Sequence, residues 1–218
     1  MFYAIVRGLL RVYFRLFYGF RVTGLENVPT AGAIIVVANH ASALDPLALG
    51  AACPRPLRFM AKAELFDNPV LAMVLRGLRA FPVKRGQVDR EAYRTSIEAL
   101  RVGDALGIFP EGTRSKTGKL LPGKPGVTML VSRKPFTLMP VAVYGHENFW
   151  KNLKRLRRTD FHVAVGDPFR IDLNGSGLDR DARQTVARRL VNRKRRMAQA
   201  QARGLARSQS NRIPGTPC

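Results

Sequence analysis

The chain has 218 residues, of which 46% are hydrophobic, enough to bury a sizeable core in one main domain. Its 37 Lys and Arg residues against 15 Asp and Glu give a formal net charge of +22, which favours partners that carry phosphate: nucleic acid, anionic lipid or a phosphorylated substrate. Two cysteines, Cys53 and Cys218, form no disulfide framework, thiolate metal site or Cys-x-x-Cys motif, which fits a reducing, cytosolic setting.

Residues 1–24 are predicted to form an amphipathic helix that lies on a membrane surface. Arg7, Arg11 and Arg15 recur every four residues and so share one helical stripe, with aliphatic and aromatic residues opposite. These arginines interrupt the apolar run, which falls short of the roughly 20 residues that span a bilayer. We therefore expect peripheral attachment to anionic lipids on the cytoplasmic face of the cell membrane. The alternative is a helix packed on its own domain, with the arginines solvated.

Short apolar runs alternate with helical patterns through the segment 25–178. The runs predict strands at 34–38, 57–61, 80–83, 105–109, 138–144 and 161–165. The helical patterns lie at 46–52, 69–78, 89–102 and 126–132. This alternation predicts an α/β domain with a central mixed, largely parallel sheet flanked by helices.

The segment 179–218 is predicted to form a basic helix to about residue 203, followed by a disordered tail. More than half of the net charge lies between Lys151 and Cys218. A solvated tail and a second membrane-facing patch would each account for this charge, and nucleic-acid contact would do so less well. Residues 180–212 contain no aromatic side chain on which bases could stack, which counts against a nucleic-acid-binding protein.

A histidine and a carboxylate stand five residues apart in the segment Asn39-His40-Ala41-Ser42-Ala43-Leu44-Asp45, directly after the predicted strand 34–38. This spacing suits neither one helix face nor one strand face, so His40 and Asp45 can meet only where the chain turns. Asp45 as a helix N-cap, followed by Pro46 at the first helical position, would supply that turn. The pair would then suit a general base and its orienting carboxylate. The alternative is an ordinary polar loop at the start of a helix.

Three further segments lie at the ends or starts of predicted strands, where α/β proteins place their chemistry. They are Phe81-Pro82-Val83-Lys84-Arg85-Gly86, Phe109-Pro110-Glu111-Gly112-Thr113-Arg114-Ser115 and Met139-Pro140-Val141-Ala142-Val143. Any one of them alone would be explained by surface salt bridges or a core strand. All of them in one chain indicate a functional site.

Four motifs of the chain resemble, in order, the four sequence blocks of the glycerolipid acyltransferases. They are His40-x4-Asp45, Arg85, Phe109-Pro110-Glu111-Gly112-Thr113-Arg114 and Pro140-Val141. The bacterial 1-acylglycerol-3-phosphate acyltransferases are the most similar members. Lys124-Pro125-Gly126 also resembles the Lys-x-Gly that follows the third block of that family. The resemblance extends over about residues 25 to 145.

The resemblance implies transfer of a fatty acyl group from acyl-CoA or acyl carrier protein to the 2-hydroxyl of lysophosphatidic acid, without a metal or cofactor. Another lysolipid acceptor stays open, because the blocks are shared across the broader family. His40 would take the proton of the attacking hydroxyl and Asp45 would orient it, with Asn39, Ser42 and Lys124 as possible supporting residues. A thioester already carries a good leaving group, so a covalent role for Ser42 or Cys53 is disfavoured.

Substrate binding is assigned to the second and third blocks. Arg85 and Arg114 carry guanidinium groups suited to a phosphate. Gly112 permits a tight turn before Thr113, and Glu111 would hold Arg114 or a glycerol hydroxyl. The resemblance links Pro140 and Val141 to the acyl-donor side. Lys84 stands where the family often has an acidic residue, which leaves the local partner of Arg85 open, and His146 and His162 are predicted to be structural.

Overall fold

A computed structural model of the chain describes residues 1–115, 121, 129–130, 136–145, 152, 159–170 and 199. Within these ranges the α-helices are α1 (Phe2–Phe17), α2 (Asp45–Ala52), α3 (Pro69–Gly77) and α4 (Arg90–Arg101). The strands are β1 (Tyr18–Thr23), β2 (Ile34–Ala38), β3 (Leu57–Lys62), β4 (Ala80–Val83), β5 (Ala105–Ile108), β6 (Thr137–Tyr144) and β7 (Thr159–Val165). Short 3-10 helices at Leu25–Asn27 and Ala63–Phe66 precede β2 and α3.

Within the described ranges seven strands form one sheet in the order β1-β7-β6-β2-β5-β3-β4. Every neighbouring pair is parallel except β6 and β7, which are antiparallel. The predicted mixed, largely parallel sheet with flanking helices is therefore confirmed. All five residues of β2 are buried, as expected for an inner strand of a parallel sheet that is covered on both faces.

Alternate residues of β2 contribute to two separate cores, because successive side chains of a strand point to opposite faces. Ile34, Val36 and Ala38 pack in the core that contains residues of α1 and α2. Ile35 and Val37 pack in the other core, which contains residues of α4. The carboxyl end of β2 therefore lies between two helical layers, and the chain that leaves it begins the candidate site.

Helix α1 packs on the domain with its arginine-bearing side inward. Arg11 Nε donates to the carbonyl of Ala51 at 2.7 Å and Arg7 to that of Pro54 at 2.8 Å, both at the carboxyl end of α2. Phe14 on the same side is fully buried. The exposed side is apolar and carries Phe2, Ile5, Leu9, Val12, Leu16 and Phe17. Packing on the domain thus occurs with Arg7 and Arg11 bonded to main-chain carbonyls rather than solvated, whereas Arg15 and the apolar side are exposed.

The helical segment predicted for residues 1–24 is longer than the helix observed. Helix α1 ends at Phe17, and Tyr18–Thr23 forms strand β1, which pairs with β7. The alternation of Tyr18, Phe20 and Val22 with Gly19, Arg21 and Thr23 was the available strand signal. No helix in the described ranges is both long and apolar enough to cross a membrane.

Two parts of the sequence prediction fall largely outside the described residues. Of the predicted helix 126–132, only residues 129–130 are described, and they are helical. The predicted basic helix after residue 179 lies outside them apart from Gln199. Lys124 and His146 also lie outside the described ranges.

Asp89 caps helix α4 and closes the loop from β4. Its Oδ1 accepts from the amides of Glu91 and Ala92, and its Oδ2 accepts from the amide of Lys84 at 2.8 Å. These hydrogen bonds from main-chain amides lower the pKa of the Asp89 carboxyl, and the bond from the Ala92 amide has the largest effect. A lowered folded-state pKa means that the ionised carboxylate stabilises the fold above the unfolded-state pKa. That contribution is lost as the pH falls through the folded-state value.

We expect Asp89→Ala to lower the free energy of unfolding by about 0.5 to 2 kcal/mol at pH 7, the usual effect of removing an N-cap. Urea unfolding monitored by circular dichroism measures this difference, which should shrink at pH values below the folded-state pKa. Glu98→Ala, an exposed substitution on the same helix, is the control. Equal losses in the two variants at pH 7 would contradict the capping role.

Candidate active site

His40 and Asp45 meet on the loop that joins β2 to α2. His40 Nδ1 lies 3.0 Å from Asp45 Oδ2, and the same oxygen accepts the amides of Ala41 and Ser42 at 2.7 Å each. The exposed fraction is 7% for His40 and zero for Asp45. The carboxylate is therefore fixed by the loop that carries the imidazole.

The turn between the two residues is built differently from the predicted N-cap. Helix α2 begins at Asp45 itself, its N-cap is Leu44, and the Asp45 carboxylate binds amides upstream of the helix. The prediction that Asp45 caps the helix is therefore wrong. Ser42 supports the turn instead: its Oγ accepts the Leu44 amide at 3.1 Å and its carbonyl accepts the Asp45 amide at 3.3 Å.

The loop that follows β5 binds the main chain of His40 at both of its polar atoms. The His40 amide donates to Glu111 Oε1 at 3.3 Å, and the His40 carbonyl accepts from the Ser115 amide at 2.8 Å. Glu111 Oε2 also accepts the amide of Leu121 at 3.1 Å, and Glu111 is only 2% exposed. Glu111 thus connects the third sequence block to the loop that carries His40, a role that the sequence did not predict.

Asn39 extends the pairing of β2 with β6 beyond the end of the strand. Its side-chain amide donates to the carbonyl of Val143 at 2.6 Å and accepts from the Val143 amide at 2.8 Å. Pro140 and Val141 lie buried in β6, opposite Val37 and Ala38 of β2. These β6 residues support the loop through the backbone of the sheet, and their assignment to the acyl-donor side stays a prediction.

The imidazole of His40 stacks on an aromatic ring of the third block. The ring centroids of His40 and Phe109 are 4.2 Å apart at an interplanar angle of 22°, and Phe109 stacks in turn on Phe59 of β3. Phe59 lies directly over Gly107 of β5, where a Cβ atom would overlap with its ring. Neither Phe59 nor Gly107 is among the site residues predicted from the sequence. A glycine inside the buried strand 105–108 was the available signal of a close approach.

A cavity of about 470 Å³ opens beside His40. Its apolar lining comes from β3, β5 and α4 and from the segment 129–130: Met60, Ala92, Tyr93, Ile108, Phe109, Met129 and Leu130. The loop after β4 contributes two exposed cations, Lys84 and Arg85. The cavity therefore combines the imidazole of His40, two cations and the Asp89 carboxylate at the loop after β4, and an apolar wall.

Only some residues of the third sequence block line this cavity. Gly112 lines it and has a φ of 64°, a left-handed conformation that favours glycine. Thr113 and Arg114 are exposed and, among the described residues, lie outside the cavity lining. The structure thus brings Arg85, but not Arg114, into the cavity with His40.

The remaining candidates lie elsewhere. Burial in the core beside α2 raises the pKa of the Cys53 thiol, which keeps it protonated. His162 stacks on Tyr144 in the β6–β7 pair, with ring centroids 5.0 Å apart. No group of three His, Cys, Asp or Glu residues that could hold a metal ion occurs in the described ranges.

Gly107→Ala should displace the Phe59 ring and lower the free energy of unfolding by about 1 to 3 kcal/mol, the usual effect of overpacking. Phe59→Leu shortens the side chain that the new methyl group meets, so the double variant should recover part of that loss. A double-mutant cycle of urea unfolding measures this coupling. Strictly additive losses would contradict the contact between Phe59 and Gly107.

A family model and similar known proteins point to the same family. Residues 19–144 match the family model described as Acyltransferase. The 1-acyl-sn-glycerol-3-phosphate acyltransferase of Bacillus subtilis (strain 168) is 32% identical over 167 residues, 76% of this chain and 81% of that protein. The enzyme of the same name from Borreliella burgdorferi is 33% identical over 136 residues, 61% of this chain and 54% of that protein.

A solved structure has the same fold. The crystal structure of the 1-acyl-sn-glycerophosphate (LPA) acyltransferase PlsC from Thermotoga maritima superimposes with a TM-score of 0.71 at 26% sequence identity. The match covers 92% of this chain and 80% of that chain.

Proposed function

The chain belongs to the acyltransferase family, and we propose that it acylates the 2-hydroxyl of 1-acylglycerol-3-phosphate, lysophosphatidic acid, to give phosphatidic acid for phospholipid synthesis. The acyl donor is a thioester of coenzyme A or acyl carrier protein. One observation carries the proposal: the buried His40, which is paired with Asp45, lines a cavity that is also lined by Arg85 and by apolar side chains. The identity of the acceptor is inferred from the names of the related enzymes.

In this proposal His40 is the general base. With Nδ1 bonded to Asp45, Nε2 is the ring nitrogen left to take the proton of the substrate hydroxyl. The alkoxide oxygen then bonds to the thioester carbonyl carbon, the carbon–sulfur bond breaks, and the thiolate takes up the proton from the imidazolium. Asp45 stabilises the imidazolium that forms in between. Because a thiolate is a good leaving group, the reaction requires no enzyme nucleophile, metal or cofactor.

The cavity has two chemically distinct parts that suit the two parts of a lysophospholipid. Arg85, beside Lys84, offers the phosphate a guanidinium fork, and Gly112 lines the cavity from the facing loop. Thr113 and Arg114 follow Gly112 outside the lining, and their assignment to the glycerol phosphate rests on the family resemblance. The apolar wall of Met60, Ile108 and Leu130 accommodates hydrocarbon. A volume of about 470 Å³ falls within the range of small-molecule sites.

The enzyme acts as a peripheral protein on the cytoplasmic face of the cell membrane. The exposed apolar side of α1 supports this placement, because it leaves Ile5, Leu9, Val12 and Leu16 without cover in water. Lipid phosphate, rather than nucleic acid, then accounts for the high positive charge. Both the acceptor and the product are amphiphiles that reside in the membrane.

His40→Ala should lower kcat for thiol release from acyl-CoA with lysophosphatidic acid by a factor of about 10² to 10⁴, the usual contribution of a general base. His162→Ala removes a histidine outside the cavity and should retain most of the activity. A thiol-trapping dye measures the rate. Wild-type turnover at background level, or equal rates for wild type and His40→Ala, would contradict the proposed reaction.

Arg85→Ala should raise the KM for lysophosphatidic acid by about 10- to 100-fold, because a charge-assisted contact to phosphate is lost, and should change the KM of the thioester less. Arg114→Ala should shift the same constant in the same direction. Steady-state kinetics with each substrate varied in turn separates the two constants. A larger effect on the thioester would assign these arginines to the donor.

A panel of lysophospholipid acceptors tests the choice of acceptor. An acceptor without a terminal phosphate monoester should lose little further activity in Arg85→Ala. A variant that is impaired equally with every acceptor would indicate that Arg85 does not bind the phosphate.

A further inference from the structure

Helix α3 exposes apolar side chains that its own domain does not cover. Val70 and Met73 are 65% and 67% exposed, Leu71 is also exposed, and Ala72 is the residue of this helix that is buried. A short amphipathic helix on a soluble protein normally turns such side chains toward the core. Helix α3 instead presents them outward, as helix α1 does.

The exposed apolar sides of α1 and α3 adjoin each other. Phe2 belongs to the exposed side of α1, and its ring lies against Gly77 at the end of α3, where a Cβ atom would overlap with it. We call the combined surface the α1–α3 face. It consists of Ile5, Leu9, Val12 and Leu16 from α1 and Val70, Leu71 and Met73 from α3.

Charge indicates what covers this face. Each helix carries an exposed arginine in its last turn, Arg15 in α1 and Arg76 in α3. The first 25 residues contain no acidic side chain, and the whole chain carries a formal charge of +22. Exposed aliphatic side chains flanked by cations suit an anionic bilayer surface, where hydrocarbon and lipid phosphate lie within a few ångströms of each other.

We propose that the α1–α3 face is the docking surface for an anionic lipid bilayer, and that α3 inserts into the interface beside α1. Helix α3 packs on β4 and is separated from it by two residues, and the loop after β4 carries Lys84 and Arg85 into the cavity. Docking through α3 therefore places the membrane surface beside the strand whose following loop carries Lys84 and Arg85. This deepens the proposed function and rests on it for the identity of the lipid substrate.

Sedimentation with vesicles of phosphatidylglycerol and phosphatidylcholine in equal parts tests the proposal without turnover. Val70→Glu places a charge in the apolar interface, and Val102→Glu makes the same change at a valine that is equally exposed, at 65%, but lies at the end of α4. Val70→Glu, alone or with Met73→Glu, should lower the lipid partition coefficient by about tenfold or more. Val102→Glu should leave it unchanged.

Leu9→Glu on α1 separates this inference from the proposed function. In one outcome the Leu9→Glu variant loses vesicle binding while the double variant Val70→Glu, Met73→Glu binds as well as the Val102→Glu variant. In that outcome α1 docks alone, and the proposed role of α3 is wrong. If the wild type does not sediment, neither helix docks. Thiol release with a short-chain, water-soluble lysophosphatidic acid then still tests the reaction.

A second copy of the chain is the competing occupant of the face. Sedimentation velocity of the wild type and of the Val70→Glu, Met73→Glu variant distinguishes the two. A wild-type dimer that dissociates in the variant, with unchanged vesicle binding, would overturn the proposal. Met73→Ser serves as a milder variant if the glutamate variants have lowered urea midpoints, and it should still weaken binding relative to Val102→Ser.

Discussion

The peptide unit of His40 is bonded at both polar atoms by the loop that follows β5, through Glu111 at the amide and Ser115 at the carbonyl. A typical hydrogen bond contributes about 0.5 to 1.5 kcal/mol net, but a buried partner left unsatisfied costs about 1 to 3 kcal/mol. Glu111 is almost fully buried and bonds two amides from segments far apart in the chain. The position of the loop that carries His40 therefore depends on the third sequence block as much as on its own residues.

This constraint explains why the two blocks occur together. Asp45 fixes the imidazole from one side through Nδ1, Phe109 stacks on its plane, and the loop that carries Phe109 also carries Glu111 and Ser115. Adjacent parallel strands β2 and β5 bring both loops to the same edge of the sheet. In the proposed reaction, a base held in this way needs little reorganisation when it accepts a proton.

Sequence patterns that span only a few residues predicted much of the fold and the contact between His40 and Asp45. The strands 34–38 and 80–83 agree with the structure residue by residue, because each is an apolar run with clear boundaries. Strand β1 was missed because Tyr18–Thr23 continues the aromatic and basic composition of α1. Its partner β7 lies more than 130 residues further along the chain. The pairing of Glu111 with His40 spans 71 residues and left no local signal.

The prediction that Asp45 caps α2 failed because other groups bind its carboxylate. Asp45 has the composition of an N-cap, yet the amides of Ala41 and Ser42 and the His40 ring all bind its Oδ2. The alternative for α1 was a helix packed on the domain with solvated arginines, but Arg11 and Arg7 donate to the carbonyls of Ala51 and Pro54. In both cases a hydrogen-bond partner outside the helix decided the orientation.

Nitrogen NMR of histidine-labelled protein tests most directly the claim that Asp45 orients His40 as a base. Neutral His40 should carry its proton on Nδ1 and leave Nε2 unprotonated, and Asp45→Asn should alter this tautomer. A neutral His40 protonated on Nε2 in the wild type, or a tautomer unaffected by Asp45→Asn, would show that Asp45 does not orient His40 as a base.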